Sequence, residues 1–413
     1  MSDVKALDRC QSVLVTAQPH VLKVAGQLER NPIFTAIKQA FAKSNFLLLV
    51  TSLLLMIKKY NDVFWHSIEI THLLSPVIAA LIDGYGPIFI LIMTWTLGQS
   101  LGEKRMAYMM DNVIVLIMMI AFNPSFQRGN LFILGLLISI AVYGWLKLID
   151  KLQTVVAPFD GELAAWRNLI NVVLTATLFL GLGWLYQSNL SDMLFTKTSW
   201  VSLDQPIWVF ILVMIEMLLW YMGINGYGVI APFVFIFAYN NMLENFRLMN
   251  VGRNAAIIYT PNFWDYFLSM SGAGIVGALV VLCLFSRQAD LKQLGKAAFS
   301  GSLFSVSEPM IYGLPLTMNK VFLLPFVGGT ALLGILQWYV FHWGWVALPA
   351  YHVADLPLPF SILLATLDWR SLLLMIGTIS LAIAMYYPAF RYYASHRMTP
   401  TPDNDDDDLD LDF

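Results

Sequence analysis

The chain has 413 residues, of which 58% are hydrophobic and only 12% are charged, and its formal net charge is −3. Soluble domains ordinarily carry about 25% charged residues, so this composition excludes a water-soluble surface and predicts a protein that lies mostly in a membrane. The small negative net charge also argues against nucleic-acid binding.

The first 43 residues are predicted to form a cytoplasmic amphipathic arm. The stretch NPIFTAIKQAF repeats apolar residues at helical spacing, so one helical face carries Ile33, Ile37, Ala40 and Phe41. Such a helix can lie on a membrane surface. The polar beginning of the arm lacks the apolar core and cleavage site of a signal peptide, so we expect the first membrane span to direct the chain to the membrane.

Residues 44–390 are predicted to form one membrane domain. A helix that crosses a hydrocarbon core of about 30 Å needs about 20 apolar residues, so the short 44–57 window is expected to extend back through Phe34 to Phe41. The apolar windows predict an all-α polytopic membrane protein with about ten transmembrane helices. These windows lie at 44–57, 72–99, 107–122, 130–149, 168–187, 206–222, 227–240, 266–286, 322–344 and 371–388.

The placement of lysine and arginine predicts that both ends of the chain lie in the cytoplasm. Positive residues cluster in the N-terminal arm, in the loops 99–106 and 147–167, and after the last span, and loops rich in such residues face the cytoplasm. Lys58 and Lys59 are an exception to this pattern. Residues 391–413 end in DNDDDDLDLDF and are predicted to form an acidic, disordered cytoplasmic tail.

Two segments interrupt the apolar windows with glycine and proline. They read WYMGINGYGVIAPF (220–233) and GSLFSVSEPMIYGLPLTMNK (301–320). Proline is unfavourable in a helix interior because it removes a backbone donor and clashes with the preceding turn, so Pro309 predicts a bent, non-helical stretch that carries Glu308. Broken helices at membrane depth are tolerated only where the backbone is buried in protein or lines a cavity. Paired interruptions indicate the substrate site of a transporter.

Glu308 is the strongest candidate for a functional side chain inside the membrane. A charged acid at the bilayer centre costs about 2.5–3.5 kcal/mol even on insertion scales, and intramembrane acids usually line functional cavities. The alternative is an acid near the membrane surface that only caps backbone amides. Glu216 and Asp83 are weaker candidates, because either can be a helix-packing or interfacial acid.

The sequence predicts no metal ion, cofactor or nucleotide site. Cys10 and Cys283 lie far apart, one in the polar arm and one in a span, so they indicate neither a disulfide framework nor a metal site. The phosphate loop G-x-x-x-x-G-K-[ST] is absent, which gives no sign of an ATPase. Four histidines lack the spacing of metal ligands and are predicted to be interfacial, namely His66, His72, His342 and His352.

The segment SVSEPMIYGLPLTMN (305–319) resembles the hairpin signature of the sugar-translocating enzyme IIC subunits of the bacterial phosphoenolpyruvate-dependent phosphotransferase system. The resemblance is to the lactose, cellobiose and chitobiose group, and its specific part is E-P-x-x-x-G-x-P. Further segments resemble parts of this family in the same order along the chain, and together they cover nearly the whole membrane domain. They are 24–41, 220–233, 263–279 and 356–374.

The resemblance implies an elevator-type fold. Its protomers form a homodimer, contain two re-entrant hairpins and move the sugar by displacement of a transport domain. The resemblance assigns Glu308 to the sugar hydroxyls near the position to be phosphorylated, and a carboxylate accepts strong hydrogen bonds from such groups. It implies no catalytic residue in this chain, and a sugar-binding set that also includes Asn225, Gly226, Ser305, Ser307, Asn319 and Phe360.

The chain departs from the family pattern at several of these positions. Asn225 stands where family members often carry histidine, and asparagine cannot take a proton at neutral pH. Ser305 and Ser307 replace asparagines of the hairpin. Phe360 replaces a tryptophan, so it can stack on a sugar face but offers no N–H donor. These departures leave the identity of the sugar and the coupling to phosphorylation open.

The resemblance also implies partner proteins. A cytoplasmic enzyme IIB, supplied by enzyme IIA, would transfer a phosphoryl group from its cysteine to the sugar. The chain would then be the permease subunit in the bacterial cytoplasmic membrane for a β-linked disaccharide such as cellobiose or diacetylchitobiose. Two alternatives stay open: a membrane sugar sensor that is not coupled to phosphorylation, and a cation-coupled transporter that uses Glu308 and Glu216 as ion ligands.

Overall fold

A computed structural model of the chain describes residues 2–101, 203–353 and 356–396, together with isolated residues between 140 and 177. All regular structure in these ranges is helical. The predicted windows at 107–122, 130–149 and 168–187 lie wholly or largely outside the described residues. The total of about ten spans therefore stays a prediction.

The described helices differ widely in length, and several are interrupted. In chain order they are α1 (Ser2–Arg30), α2 (Pro32–Tyr60), α3 (Ile68–Ser100), α4 (Pro206–Tyr221), α5 (Gly226–Asn250), α6 (Pro261–Phe263), α7 (Gly277–Leu284), α8 (Ala289–Leu303), α9 (Glu308–Gly313), α10 (Lys320–Leu323), α11 (Thr330–His342), α12 (Leu358–Thr366) and α13 (Arg370–His396). Wider π-helical turns follow α2 and α6 and join α10 to α11, at Asn61–Trp65, Trp264–Leu268 and Leu324–Gly329.

Five helical segments in the described ranges are long and apolar enough to cross a membrane. They are Pro32–Trp65, Ile68–Ser100, Gly226–Asn250, Lys320–His342 and Arg370–His396. A sixth span results if Pro261–Ile275 and Gly277–Leu284, which meet at a bend of 49°, are counted together. Helix α4 is apolar but shorter, with 16 residues.

Helix α2 is continuous across the predicted boundary between arm and membrane domain at residue 43. It begins where the Asn31 side chain accepts a hydrogen bond from the backbone N–H of Ile33 at 2.9 Å, and Pro32 fits the first turn because that turn has no intrahelical partner for an N–H. The expected extension of the 44–57 window is therefore confirmed. The division into three domains stays a prediction.

Helices α2 and α3 pack against each other along their length. Polar contacts between them are buried: the Ser44 hydroxyl lies 2.9 Å from the Tyr85 hydroxyl, and Thr96 donates to the Ala36 carbonyl at 3.1 Å. Buried hydroxyl groups in a low-dielectric interior need such partners. Helix α2 of this pair forms one wall of the cavity described below.

The first interrupted segment is a break between α4 and α5. The chain leaves the helical conformation after Tyr221, and Gly223 takes a φ of +85°, which residues with a Cβ rarely adopt. Helix α5 then starts at Gly226. A Cβ on Gly226 would lie 2.2 Å from the carbonyl oxygen of Glu216, so only glycine permits this close approach of α5 to α4.

The second interrupted segment turns the chain back after α8. Ser305 has a φ of +57°, and the six-residue helix α9 then starts at Glu308. The prediction of a bent stretch is confirmed, but the prediction that Glu308 lies in non-helical backbone is wrong. Pro309 is tolerated because it occupies the first turn of α9, where its missing N–H leaves no hydrogen bond unmade.

Helix α1 lies across both interrupted segments. The Gln18 amide donates to the Met222 carbonyl at 3.0 Å, and the Gln11 amide donates to the Met318 carbonyl at 2.9 Å. The Met222 carbonyl lies at the end of α4, and the Met318 carbonyl lies in the non-helical stretch before α10, so both lack helical partners. The helix predicted to be a surface arm thus also satisfies backbone groups of the membrane domain.

Candidate functional site

A cavity of about 760 Å³ lies between α2, the two interrupted segments, the turn after α6 and the loop before α12. Its volume is within the range of small-molecule sites, about 300–1,000 Å³. Polar side chains that line it include Lys38, Asn45, Glu216, Asn225, Tyr227, Asp265, Ser305, Ser307, Glu308 and His352. Aromatic rings complete the lining at Phe41, Trp220, Phe235 and Tyr239.

Four of the predicted site residues meet at this cavity. Asn225 comes from the first interrupted segment, and Ser305, Ser307 and Glu308 come from the second. The two segments are distant in sequence, and the tertiary fold brings them together at one cavity. The acid that interrupts the apolar pattern at Glu308 therefore faces the same space as the break between α4 and α5.

The other three predicted residues are not part of the cavity lining. Gly226 packs against the α4 backbone, as described above. Asn319 caps α10, because its side chain accepts from the backbone N–H of Val321 at 3.1 Å and donates to the Pro315 carbonyl at 3.0 Å. Phe360 is 61% exposed. The close backbone approach at Gly226 and the capping bonds of Asn319 give local structural reasons for these two residue types.

The Glu308 carboxylate is half-buried and faces the cavity. Among the described residues it has neither a hydrogen-bond nor an ion-pair partner, so its oxygens can accept hydrogen bonds from a ligand. Its neighbour Ser307 is only 3% exposed. Ser307 packs on Gly272, where a Cβ would come within 2.7 Å of the Ser307 Cβ, so the second interrupted segment lies closely against the chain between α6 and α7.

Asn225 has two separate hydrogen-bonding groups. Its Oδ1 accepts from the backbone N–H of Gly228 at 2.7 Å and caps the first turn of α5. Its Nδ2 has no partner in the part of the chain that the structure describes, so this group can donate to a ligand. Lys38 adds a second donor to the lining, with its Nζ 5.0 Å from the centre of the Phe34 ring.

Two further acids line the cavity. The Tyr227 hydroxyl donates to Asp265 Oδ1 at 3.0 Å, which joins α5 to the turn after α6. Glu216 is only 1% exposed, and its Oε1 has no hydrogen-bond partner among the described residues. Sequence reasoning named Glu216 as a weak candidate and missed Asp265. The signal for Asp265 was available, since it is an acid within an apolar run, FWDYFL.

His352 lies in a different place from that expected, and Asp83 is not part of the cavity. His352 was predicted to be interfacial, but it is 6% exposed and lines the cavity. Its backbone N–H donates to Ser52 Oγ at 2.7 Å, so a contact with α2 buries the loop. Asp83 is exposed, lies 3.8 Å from Arg247 and does not line the cavity.

The cavity lining combines hydrogen-bond donors and acceptors that can bind a ligand with many hydroxyl groups. Carboxylates accept hydrogen bonds from hydroxyl groups, and the amide and ammonium groups donate to them. Aromatic faces such as those of Trp220 and Phe41 can contact the apolar faces of sugar rings. The arrangement can therefore orient a small polyhydroxylated molecule through several walls at once.

Comparison with known proteins gives consistent matches. The family model "Phosphotransferase system, EIIC" matches residues 46–329, well over half of the chain. The lichenan permease IIC component of Bacillus subtilis (strain 168) is 32% identical over 188 residues, which cover 45% of this chain and 42% of that protein. The lactose-specific EIICB component of Lacticaseibacillus casei is 28% identical over 180 residues, 43% of this chain and 31% of that protein.

These matches to curated relatives span less than half of each relative's length. The crystal structure of the transporter ChbC, the IIC component from the N,N′-diacetylchitobiose-specific phosphotransferase system, superposes with a TM-score of 0.78 over 92% of this chain and 98% of that one. Because the sequence identity is only 20%, this structural similarity shows a shared fold and nothing more. The predicted resemblance is thus confirmed at the level of family, and the chain belongs to the phosphotransferase system EIIC family.

Proposed function

We propose that this chain is the membrane-spanning sugar permease subunit of a phosphoenolpyruvate-dependent phosphotransferase system. In this proposal the cavity between the two interrupted segments holds the sugar, and Glu308 and Asn225 contact its hydroxyl groups. The observation that carries the proposal is the convergence of these two segments on one cavity in a chain of the EIIC family. Ser305 and Ser307 complete the proposed contact set on the hairpin side.

The proposed substrate is a β-linked disaccharide such as cellobiose or diacetylchitobiose. The names of the relatives support this class, since they refer to lichenan, lactose and N,N′-diacetylchitobiose. The cavity volume of about 760 Å³ also supports a ligand of this size. The chain's own residues bind and orient the sugar and exclude water from it.

The proposed phosphoryl donor is a separate enzyme IIB, supplied in turn by enzyme IIA. The name EIICB for the lactose-specific relatives supports a functional link between the two components. Transfer of a phosphoryl group adds negative charge to the sugar, which weakens its return to a cavity lined by the acidic side chains of Glu308 and Asp265. We further propose a homodimer in the bacterial cytoplasmic membrane with both termini in the cytoplasm.

Reconstitution in vesicles tests this function. Proteoliposomes with the purified chain, phosphoenolpyruvate and the phosphoryl-transfer proteins including enzyme IIB inside are given labelled cellobiose or diacetylchitobiose outside. We expect sugar phosphate to accumulate inside, and only when enzyme IIB is present. Proteoliposomes without this chain are the control.

A second candidate is a sugar sensor, favoured by Asn225, Ser305 and Ser307, which differ from the residues usual in the family. Sugar binding without accumulation of sugar phosphate in the same vesicles would support it. Uptake that follows an imposed proton or sodium gradient and ignores the phosphoryl donor would instead support a cation-coupled transporter. Either result would contradict the proposed permease function.

A further inference from the structure

The hydrogen bonds around His352 determine which of its ring nitrogens carries a proton. The Asn262 side chain donates from Nδ2 to the carbonyl oxygen of Pro349 at 3.0 Å. A carbonyl oxygen can only accept, so this bond fixes the orientation of the amide, and Asn262 Oδ1 points to His352 Nδ1 at 3.0 Å. Because Oδ1 is also only an acceptor, Nδ1 must carry the hydrogen.

The other ring nitrogen, Nε2, is therefore an acceptor in the neutral ring. Burial lowers the pKa of His352 to about 4, so the ring is uncharged at neutral pH. A neutral imidazole has one N–H, and here that group is at Nδ1. Nε2 has no partner among the described residues, yet it is not sealed within the protein, and the residue lines the cavity.

Several contacts hold this ring in place before any ligand arrives. The backbone N–H of His352 donates to Ser52, as described above, and the next carbonyl, that of Val353, accepts from the Tyr266 hydroxyl at 2.8 Å. On the other side, the Tyr351 N–H donates to the Ala365 carbonyl at 3.0 Å. A side chain whose orientation is fixed by its surroundings loses little entropy when it binds.

We propose that Nε2 of His352 accepts a hydrogen bond from one hydroxyl group of the sugar and thereby helps to determine sugar specificity. This inference rests on the proposed function of the cavity. His352 lies in the loop before α12, whereas Glu308 lies on the hairpin, so the two acceptors bind different hydroxyls. A sugar without the matching hydroxyl would cover this lone pair and leave it unpaired, which disfavours its binding.

Matched substitutions separate the two ring nitrogens. In His352→Asn the short amide can keep the bond to Asn262 Oδ1, but it has no atom at the position of Nε2. In His352→Gln the longer side chain can place an acceptor near that position. The parent and both variants are purified as full chains in detergent, and their affinities for cellobiose and diacetylchitobiose are measured by calorimetry, together with thermal unfolding.

We expect His352→Asn to unfold at nearly the parent temperature and to bind the preferred disaccharide about tenfold more weakly. His352→Gln should retain more of the affinity. Monodeoxy analogues sharpen the test: one of them should bind the parent about tenfold more weakly than the intact sugar, and this difference should vanish in His352→Asn. His342→Asn is the matched control, because His342 does not line the cavity.

The outcomes distinguish this inference from the proposed function. If the parent binds neither disaccharide, the proposed substrate fails and this inference fails with it. If the parent binds and His352→Asn binds equally well, only the inference is overturned. Should the variant not fold, nitrogen NMR of histidine-labelled parent decides: the Nε2 signal of a neutral, Nδ1-protonated ring should shift when sugar is added, and an unchanged signal overturns the inference.

Discussion

The backbone N–H of Met318 donates a hydrogen bond to the carbonyl oxygen of Tyr221 at 2.9 Å. Tyr221 is the last residue of α4, where the first interrupted segment begins. Met318 precedes Asn319, the cap of α10, where the second interrupted segment ends. Unpaired backbone groups are costly away from water. Each interrupted segment therefore supplies a hydrogen-bond partner for a backbone group of the other. The cavity that Glu308 lines lies between the two segments.

The close approach of α5 to α4 predicts the effect of alanine at Gly226. The new Cβ would lie 2.2 Å from the Glu216 carbonyl oxygen and 3.0 Å from Trp220 Cδ1. We expect Gly226→Ala to reduce the free energy of unfolding by about 1–3 kcal/mol, measured by thermal unfolding in detergent. Gly377→Ala is the control, since Gly377 has open space around it and alanine is favoured in a helix by about 1 kcal/mol. Equal unfolding of the parent and Gly226→Ala would contradict the described packing.

Two substitutions at Asn225 should distinguish its contribution to stability from its contribution to sugar binding. Asn225→Ala loses the cap of α5 and should reduce stability by about 1 kcal/mol. Asn225→Asp keeps an oxygen that can cap Gly228 but replaces the Nδ2 donor with an acceptor. We expect the aspartate variant to unfold like the parent and to bind disaccharide about tenfold more weakly. Unchanged affinity in this variant would show that Nδ2 does not contact the sugar.

Asp368, in the turn between α12 and α13, predicts a loss of stability in acid. Burial raises the pKa of its carboxyl, but hydrogen bonds from the Arg370 side chain and from the backbone N–H groups of Ala347 and Arg370 outweigh burial and hold this pKa below its ordinary value. A carboxyl with a lowered pKa stabilises the fold above the ordinary pKa of about 3.9, and this contribution disappears as pH falls through the lower pKa of the folded protein.

Thermal unfolding of the parent and of Asp368→Asn in detergent, from about pH 6 to about pH 3, measures this contribution. We expect the parent to be the more stable protein near pH 6 and the difference to shrink as pH falls below about 4. Glu69→Gln is the control, since Glu69 is exposed. A difference that stays constant over this range would show that the Asp368 carboxyl is not coupled to folding.

The sequence located the long helices well, because a helix in lipid requires a long apolar run. The windows at 72–99 and 371–388 fall within α3 and α13, and each helix continues past its window into more polar residues. Helix ends depend on caps and tertiary contacts, which apolar patterning does not report. The run of α13 to His396, beyond the predicted domain end at residue 390, is an example.

Parts of the candidate site could be predicted where a charged residue or several glycines interrupt an apolar stretch of sequence. Glu308 was found because an acid interrupts an apolar run. Glycine and proline located the segment 220–233, and the family resemblance then assigned Asn225 within it. Asp265 was missed because the apolar window was drawn from residue 266. His352 could not be placed, because its burial depends on Ser52 and Asn262, which are distant in sequence.

The central claim is that a sugar binds in the cavity between the two interrupted segments and contacts the Glu308 carboxylate. Calorimetric titration of the purified chain and of Glu308→Gln with cellobiose and diacetylchitobiose tests it most directly, with Glu69→Gln as the matched control. We expect the parent and the control to bind one of the sugars and Glu308→Gln to bind it at least about tenfold more weakly, because a neutral amide replaces a charged acceptor. Equal affinity of the parent and Glu308→Gln would contradict the claim.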